Sequence, residues 1–126
     1  MLHLLKIGQT VIKTPTDIFR EFQVYNNMSA VELEKWFKSE AFKTPANADN
    51  DAGFVIDSKV TQKLIKIISK KKYRLTKGDF TCLEKVNNLI ATIYLKKPNG
   101  DLMHTNWRYA LMNLSHDPLK IAENQV

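Results

Sequence analysis

A chain of 126 residues, 44% hydrophobic and 25% charged, is long enough to bury one core without staples and too apolar to be a disordered segment. Its net charge of +6 favours an anionic partner, whether nucleic acid, an anionic membrane surface or an acidic protein. No apolar run approaches the ~20 residues of a membrane span, and one cysteine, Cys82, excludes an internal disulfide and a thiolate metal cluster and suits a reducing compartment.

The opening MLHLLKIGQTVIKTP has its apolar run broken by Gly8 and Thr10 and shows no small-residue cleavage pattern. It contains neither arginine nor serine, against an organelle import signal. An N-terminal arm or short strand is expected over residues 1–14, and the expected location is the cytoplasm, or the nucleus in a eukaryote. Pro15 and Asp17 then open an amphipathic segment carrying Ile18, Phe19, Phe22 and Tyr25, two turns of helix ended by Asn26 and Asn27. Ser29 stands three residues before Glu32, the capping-box spacing in which each side chain satisfies the other residue's free backbone N–H. The helix it starts has Leu33, Trp36 and Phe37 as its apolar stripe and Glu34 with Lys38 as an outer pair. It is predicted to end near Phe42, before Thr44-Pro45.

Residues 44–57, TPANADNDAGFVID, have loop composition. Asp49, Asn50 and Asp51 lack the glycine and closing glutamate of a calcium loop, and Phe54, Val55 and Ile56 are expected to pack the exit onto the core.

The stretch SKVTQKLIKIISKKKYR, residues 58–74, holds Lys59, Lys63, Lys66, Lys70, Lys71, Lys72 and Arg74 and no acid, whereas residues 15–42 carry five acids against three bases. At about 100° per residue, Lys59, Lys63, Lys66 and Lys70 fall within roughly 60° of one another, opposite Val60, Leu64, Ile67 and Ile68. The periodicity predicts a helix with one basic and one apolar face. Lysine is the ordinary way to wet a helix, but a helix that is merely soluble mixes its signs and gains i,i+4 pairs. This one has none.

Thr76 is placed to cap Asp79, with Leu75 and Phe80 as a hydrophobic staple. Phe80, Leu83, Val86, Ile90 and Ile93 then make the stripe of a long core helix that ends in Lys96-Lys97-Pro98-Asn99-Gly100. Cys82 lies one residue off the stripe and reads as a half-buried side chain. Thr105 precedes a last short helix with Trp107, Ala110, Leu111 and Leu114 on one face, which makes Trp107 core rather than a stacking platform. Arg108, Met112 and Ser115 fall off that face. Pro118 closes the domain, residues 15–120, and the tail 121–126 is expected to fray.

The densest polar cluster is Arg108, Tyr109, Asn113, His116 and Asp117. Neighbours on a chain usually point apart, so His116 and Asp117 read as capping groups and Arg108 as paired with an acid, rather than as general-base machinery. His3, His104 and His116 share no ligand spacing, and the four glycines are scattered. No catalytic residue, metal or cofactor is expected.

Two stretches, NMSAVELEKWF over residues 27–37 and WRYALMNLSHDPLK over 107–120, together with the LTxxD start at Leu75 to Asp79, resemble a family of small proteins of bacteria and fungi. Its members are often labelled only "DNA-binding protein" or "domain of unknown function". The likeness runs over about residues 20 to 120. Phe37 stands where leucine is usual, Ala110 where serine is, and Leu114-Ser115 where Trp-Gly is. The resemblance supplies no catalytic residue and implies a nucleic-acid partner.

The expected fold is therefore an all-α single domain of four to five short helices. The expected function is non-specific nucleic-acid binding by Lys59, Lys63, Lys66, Lys70, Lys71, Lys72 and Arg74, with Tyr73 stacking on a base. The base-reading residues Asn, Gln and Arg are scarce on that face, so contacts should go to phosphate. The alternative is a protein-interaction or stress-adaptor domain whose lysines meet an acidic partner.

Overall fold

The structure, a computed structural model, describes residues 5–7, 10–39 and 56–120. Two three-residue strands, β1 (Leu5–Ile7) and β2 (Thr10–Ile12), pair antiparallel with Ile7 opposite Thr10. Helices α1 (Pro15–Tyr25), α2 (Ala30–Phe37) and α3 (Ser58–Ile68) follow, then a 3-10 turn at Lys72–Arg74, α4 (Lys77–Tyr94) and α5 (Asn106–Met112). The domain is all-α apart from the hairpin, as its periodicity predicts.

Each helix starts where a short polar side chain can replace the missing turn. Thr14, Ser29 and Thr76 accept from the backbone N–H three residues on, each at 3.1 Å, and Asp17, Glu32 and Asp79 reach back to the cap N–H at 3.2, 3.0 and 3.0 Å. These three capping boxes satisfy orphan donors reciprocally, each worth about 1 kcal/mol. Asp57 caps α3 through Lys59 N, and Thr105 caps α5 through Arg108 N.

α1 packs on α4, α2 on α3, and α5 on α4. The stripes meet in one core: Ile18 and Phe22, Leu33 and Trp36, Leu64 and Ile67, the α4 row Leu83, Val86, Ile90 and Ile93, then Trp107, Ala110, Leu111 and Leu114. Full burial of side chains of this size contributes about 1.5–3 kcal/mol each, so the α4 row, with every member at 0% exposure, is the mainstay of the domain. Trp107 is core as expected. Its indole N–H donates to the Ile93 carbonyl at 2.8 Å, and its ring meets Tyr94 edge-on at 5.4 Å.

The end of α5 ties the two helix pairs together. Asn113 Oδ1 accepts from the Trp36 indole at 2.7 Å, and the Asn113 carbonyl accepts from the Thr61 hydroxyl at 2.8 Å, so one residue binds α2 and α3 to α5. Asn27, just past α1, exchanges two bonds with Asp117 at 2.8 and 2.9 Å.

Three sequence expectations are corrected. α2 ends at Phe37 rather than near Phe42, because Ser39 donates through both its backbone N–H and its hydroxyl to the Trp36 carbonyl and closes the last turn. The basic stretch is not one helix. The Ser69 hydroxyl takes the Ile65 carbonyl at 2.8 Å and Lys71 is extended, so Lys71, Lys72, Tyr73 and Arg74 leave the α3 face for the 3-10 turn. Ser115 does not point away from the core; it is fully buried, with φ +67°. At 118–120 the chain is helical again. The loop reading of residues 44–57 falls outside the described residues except for Ile56, which packs on the core, and Asp57. The fraying of 121–126 also falls outside them.

Candidate nucleic-acid interface

Burial of Thr61, Leu64 and Ile67 against α2 and the core fixes the rotation of α3, and that rotation turns Lys59, Lys63, Lys66 and Lys70 outward. Lys71, Lys72, Tyr73 and Arg74 are also exposed, Tyr73 at 78%. The eight sequence-predicted residues fall into two groups. Lys59, Lys63, Lys66 and Lys70 line one open groove of about 280 Å³ together with Gln62 and Asp79. The other four sit on the 3-10 turn, where the Lys72 ammonium lies 5.2 Å from the centre of the Phe19 ring on α1, a cation–π distance.

Within the first group the ammonium ions differ in what they already hold. Lys70 Nζ sits 2.8 Å from Asp79 Oδ2, and Asp79 is the only acid among the described lining residues of that groove. Burial pushes the Asp79 carboxyl up, but the Lys70 ammonium and the Thr76 backbone N–H pull harder, and it is held below the ordinary carboxylate range. Lys70 is thus engaged in closing the α4 cap. Lys63 Nζ reaches toward the Gly78 carbonyl at 3.5 Å, the edge of hydrogen bonding, which sets it at the seam between α3 and α4.

The sequence reading missed Lys85. It stands on the α4 edge facing α3 and lines a second open groove, about 300 Å³, with Lys59, Lys63 and Cys82. Gly78, Thr81, Cys82 and Lys85 recur at three, four and seven, a helical edge in its own right. Only the packing shows that this edge borders the α3 lysines. Burial pushes the Cys82 thiol up against the pull of Lys63 and Lys85, as suits the half-buried side chain expected from the sequence.

The polar cluster near the C-terminus is built differently. His116 is 1% exposed, with Nδ1 2.6 Å from the Tyr25 carbonyl and Nε2 2.5 Å from the Tyr94 hydroxyl. Those partners require the tautomer in which Nδ1–H donates to the carbonyl and Nε2 accepts from the phenol. Burial pushes His116 down, opposed by the Tyr25 carbonyl and by Asp117. Arg108 grips Asp117 with Nε and Nη2 at 3.1 and 3.0 Å, so the acid expected to pair with Arg108 is the neighbour of His116 itself. This fork holds the Asp117 carboxyl below its ordinary range despite burial. The His116 backbone N–H closes the end of α5 on the Leu111 carbonyl at 3.0 Å, while its side chain locks α1 to α4. Every polar group of the cluster is committed to an internal partner.

Among the described residues no group of three or more His, Cys, Asp and Glu is placed to hold a metal ion, and no helix is long and apolar enough to cross a membrane. No curated protein and no solved structure matches this chain. A family model does, over residues 21–112, which takes in α1 from Glu21 through α5. That span is most of the chain, and the protein belongs to the family described as "protein of unknown function (DUF3140)".

Proposed function

We propose that this protein binds nucleic acid through the phosphate backbone, without reading bases, using the outward lysines of α3. One observation carries the reading. Lys59, Lys63 and Lys66 stand exposed along a groove whose one described acid is already neutralised by Lys70. A phosphate arriving there meets three ammonium groups and no uncompensated carboxylate. The net charge of +6 supports the same partner through long-range attraction. Gln62 apart, the exposed side chains lining the groove are lysines, point charges that position a backbone and carry no pattern of donors and acceptors for base edges.

The test is a salt titration of binding to two unrelated duplexes and one single strand, with wild type beside the variant Lys59→Gln/Lys63→Gln/Lys66→Gln. Each phosphate contact contributes a slope of about −0.9 on duplex and −0.7 on single strand in log K against log salt. The triple variant should flatten the slope by about two to three units with no change in the ranking of the two duplexes. Its fold should persist, since glutamine is nearly as good a helix former. Equal slopes for the two proteins, or retention abolished by an acidic polypeptide and untouched by DNA or RNA, would transfer the lysines to an acidic protein partner.

A further inference from the structure

The two open grooves share Lys59 and Lys63, so they adjoin along the α3–α4 seam. Its two ends are unlike. At one end stand Lys70 and Asp79, a pair closed at 2.8 Å, where an incoming phosphate would have to displace a buried carboxylate. At the other end Lys85 joins Lys59 and Lys63, and the described lining residues include no acid. Potential in such a cleft is set by the uncompensated charges on its walls. It is therefore most positive between α3 and the middle of α4. The 3-10 turn lies off the α3 face, and its Lys72 is directed onto the Phe19 ring of α1.

Resting on the nucleic-acid reading above, we propose that the bound strand lies along the α3–α4 seam, that Lys85 is a phosphate contact alongside Lys59 and Lys63, and that Lys70 to Arg74 stand outside the contact. The strand's negative charge meets the lysines of both helices, while the Asp79 carboxylate sets the limit at which it turns away.

Cys82 supplies a direct probe. It is the chain's one cysteine, half-buried in the wall of this seam beside Lys63 and Lys85. Alkylation of wild type by a maleimide, followed by mass spectrometry with and without a short oligothymidylate at low salt, reads whether the seam is covered. Beside it, salt titrations with the same oligothymidylate compare Lys85→Gln with Lys71→Gln/Lys72→Gln. The expected result is alkylation slowed several-fold and restored by high salt, with a slope flattened by about 0.7 for Lys85→Gln and unchanged for the double variant. Oligothymidylate that binds with a steep slope yet leaves Cys82 alkylation at its free rate, or a slope flattened by the double variant and not by Lys85→Gln, overturns the seam while leaving the nucleic-acid reading in place. No salt-sensitive binding by wild type removes both.

Discussion

Lys70 separates what the basic face does for the fold from what it does for a ligand. Lys70→Gln removes the ammonium that sits on Asp79 Oδ2, while Asp79 keeps its cap bonds to the Thr76 backbone N–H and hydroxyl. A hydrogen bond to a charged partner contributes about 1.5–3 kcal/mol, but the Lys70 side chain is 36% exposed and water screens part of it. The expected loss is about 1 kcal/mol, or roughly 3–5 °C in melting temperature for a domain of this size. The pH dependence identifies the cause. Asp79 titrates below its unfolded value, so its contribution is fully present above the ordinary carboxylate range and is lost as pH falls through the folded-state value, where both states are protonated. Removing Lys70 returns that folded-state value toward the ordinary one. The gap between wild type and variant should be full at neutral pH, begin to shrink below about pH 4 and close as pH falls through the lowered folded-state value. Thermal denaturation across that range measures it, and the salt slope of nucleic-acid binding should stay at the wild-type value. A gap that survives acidification would place the stabilisation elsewhere, and a flattened slope would return Lys70 to the ligand.

Trp107→Ala should cost about 3–5 kcal/mol in urea unfolding, because it empties a 2%-exposed site and removes the indole's bond to the Ile93 carbonyl, which keeps its backbone bond from Lys96 N–H; a variant with an unchanged midpoint would contradict its core role. Ser115 holds a positive φ that favours glycine, and the Asn26 amide meets its hydroxyl at 2.5 Å, so Ser115→Ala keeps the strain and loses the bond. Ser115→Gly relieves the strain, and alanine should fall below glycine by about 1 kcal/mol in chemical denaturation, an order whose reversal would sink the argument. The folded-state value of His116 is lowered, so its stabilisation is present above the unfolded value of about 6.5 and is lost as pH falls from there toward the folded value. Wild type should lose more urea resistance than His116→Gln between about pH 7.5 and 5.5, and parallel losses would exonerate the imidazole.

Helix starts and core faces were legible because both are written locally. Ser29 with Glu32 and Thr76 with Asp79 sit at the spacing a capping box requires, and Phe22, Leu33, Trp36, Leu64, Ile67, Leu83, Val86, Ile90, Trp107 and Leu111, all on the apolar stripes that periodicity marks, are buried. Thr14 was passed over for Pro15 although it makes the same box with Asp17, a signal present in the sequence. What failed to show was long-range partnership. Nothing near Lys70 in sequence announces Asp79, nine residues on and across a turn, and the absence of acids within residues 58–74 concealed an acid delivered from the next helix. Lys85 was invisible for the same reason. Whether an edge of α4 borders the α3 lysines depends on the angle at which the two helices meet, which no periodicity encodes. Ser115 was misplaced because its helix stops at Met112, so helical phase no longer predicts where its side chain points.

Two stretches, residues 27–37 and 107–120, hold polar atoms that close the fold. Asn27, Ser29, Glu32 and Trp36 of the first bond to Asp117, to each other and to Asn113, while Arg108, Asn113 and Asp117 belong to the second, so the two ends of the domain recognise one another. Substitution of Asn27, Trp36, Asn113 or Asp117 would remove a bond that joins the two stretches. The exposed lysines of α3 take no part in that lacing; Thr61, on the opposite face, supplies the link to Asn113. The bonded residues of these two stretches build the scaffold, and function resides in sites set on a scaffold. A relative with the same closing motif but acidic or neutral side chains at the positions of Lys59, Lys63 and Lys85 should fold alike and release nucleic acid at far lower salt. Ligand preference within the family should therefore follow the charge of the α3–α4 seam rather than likeness over the signature stretches.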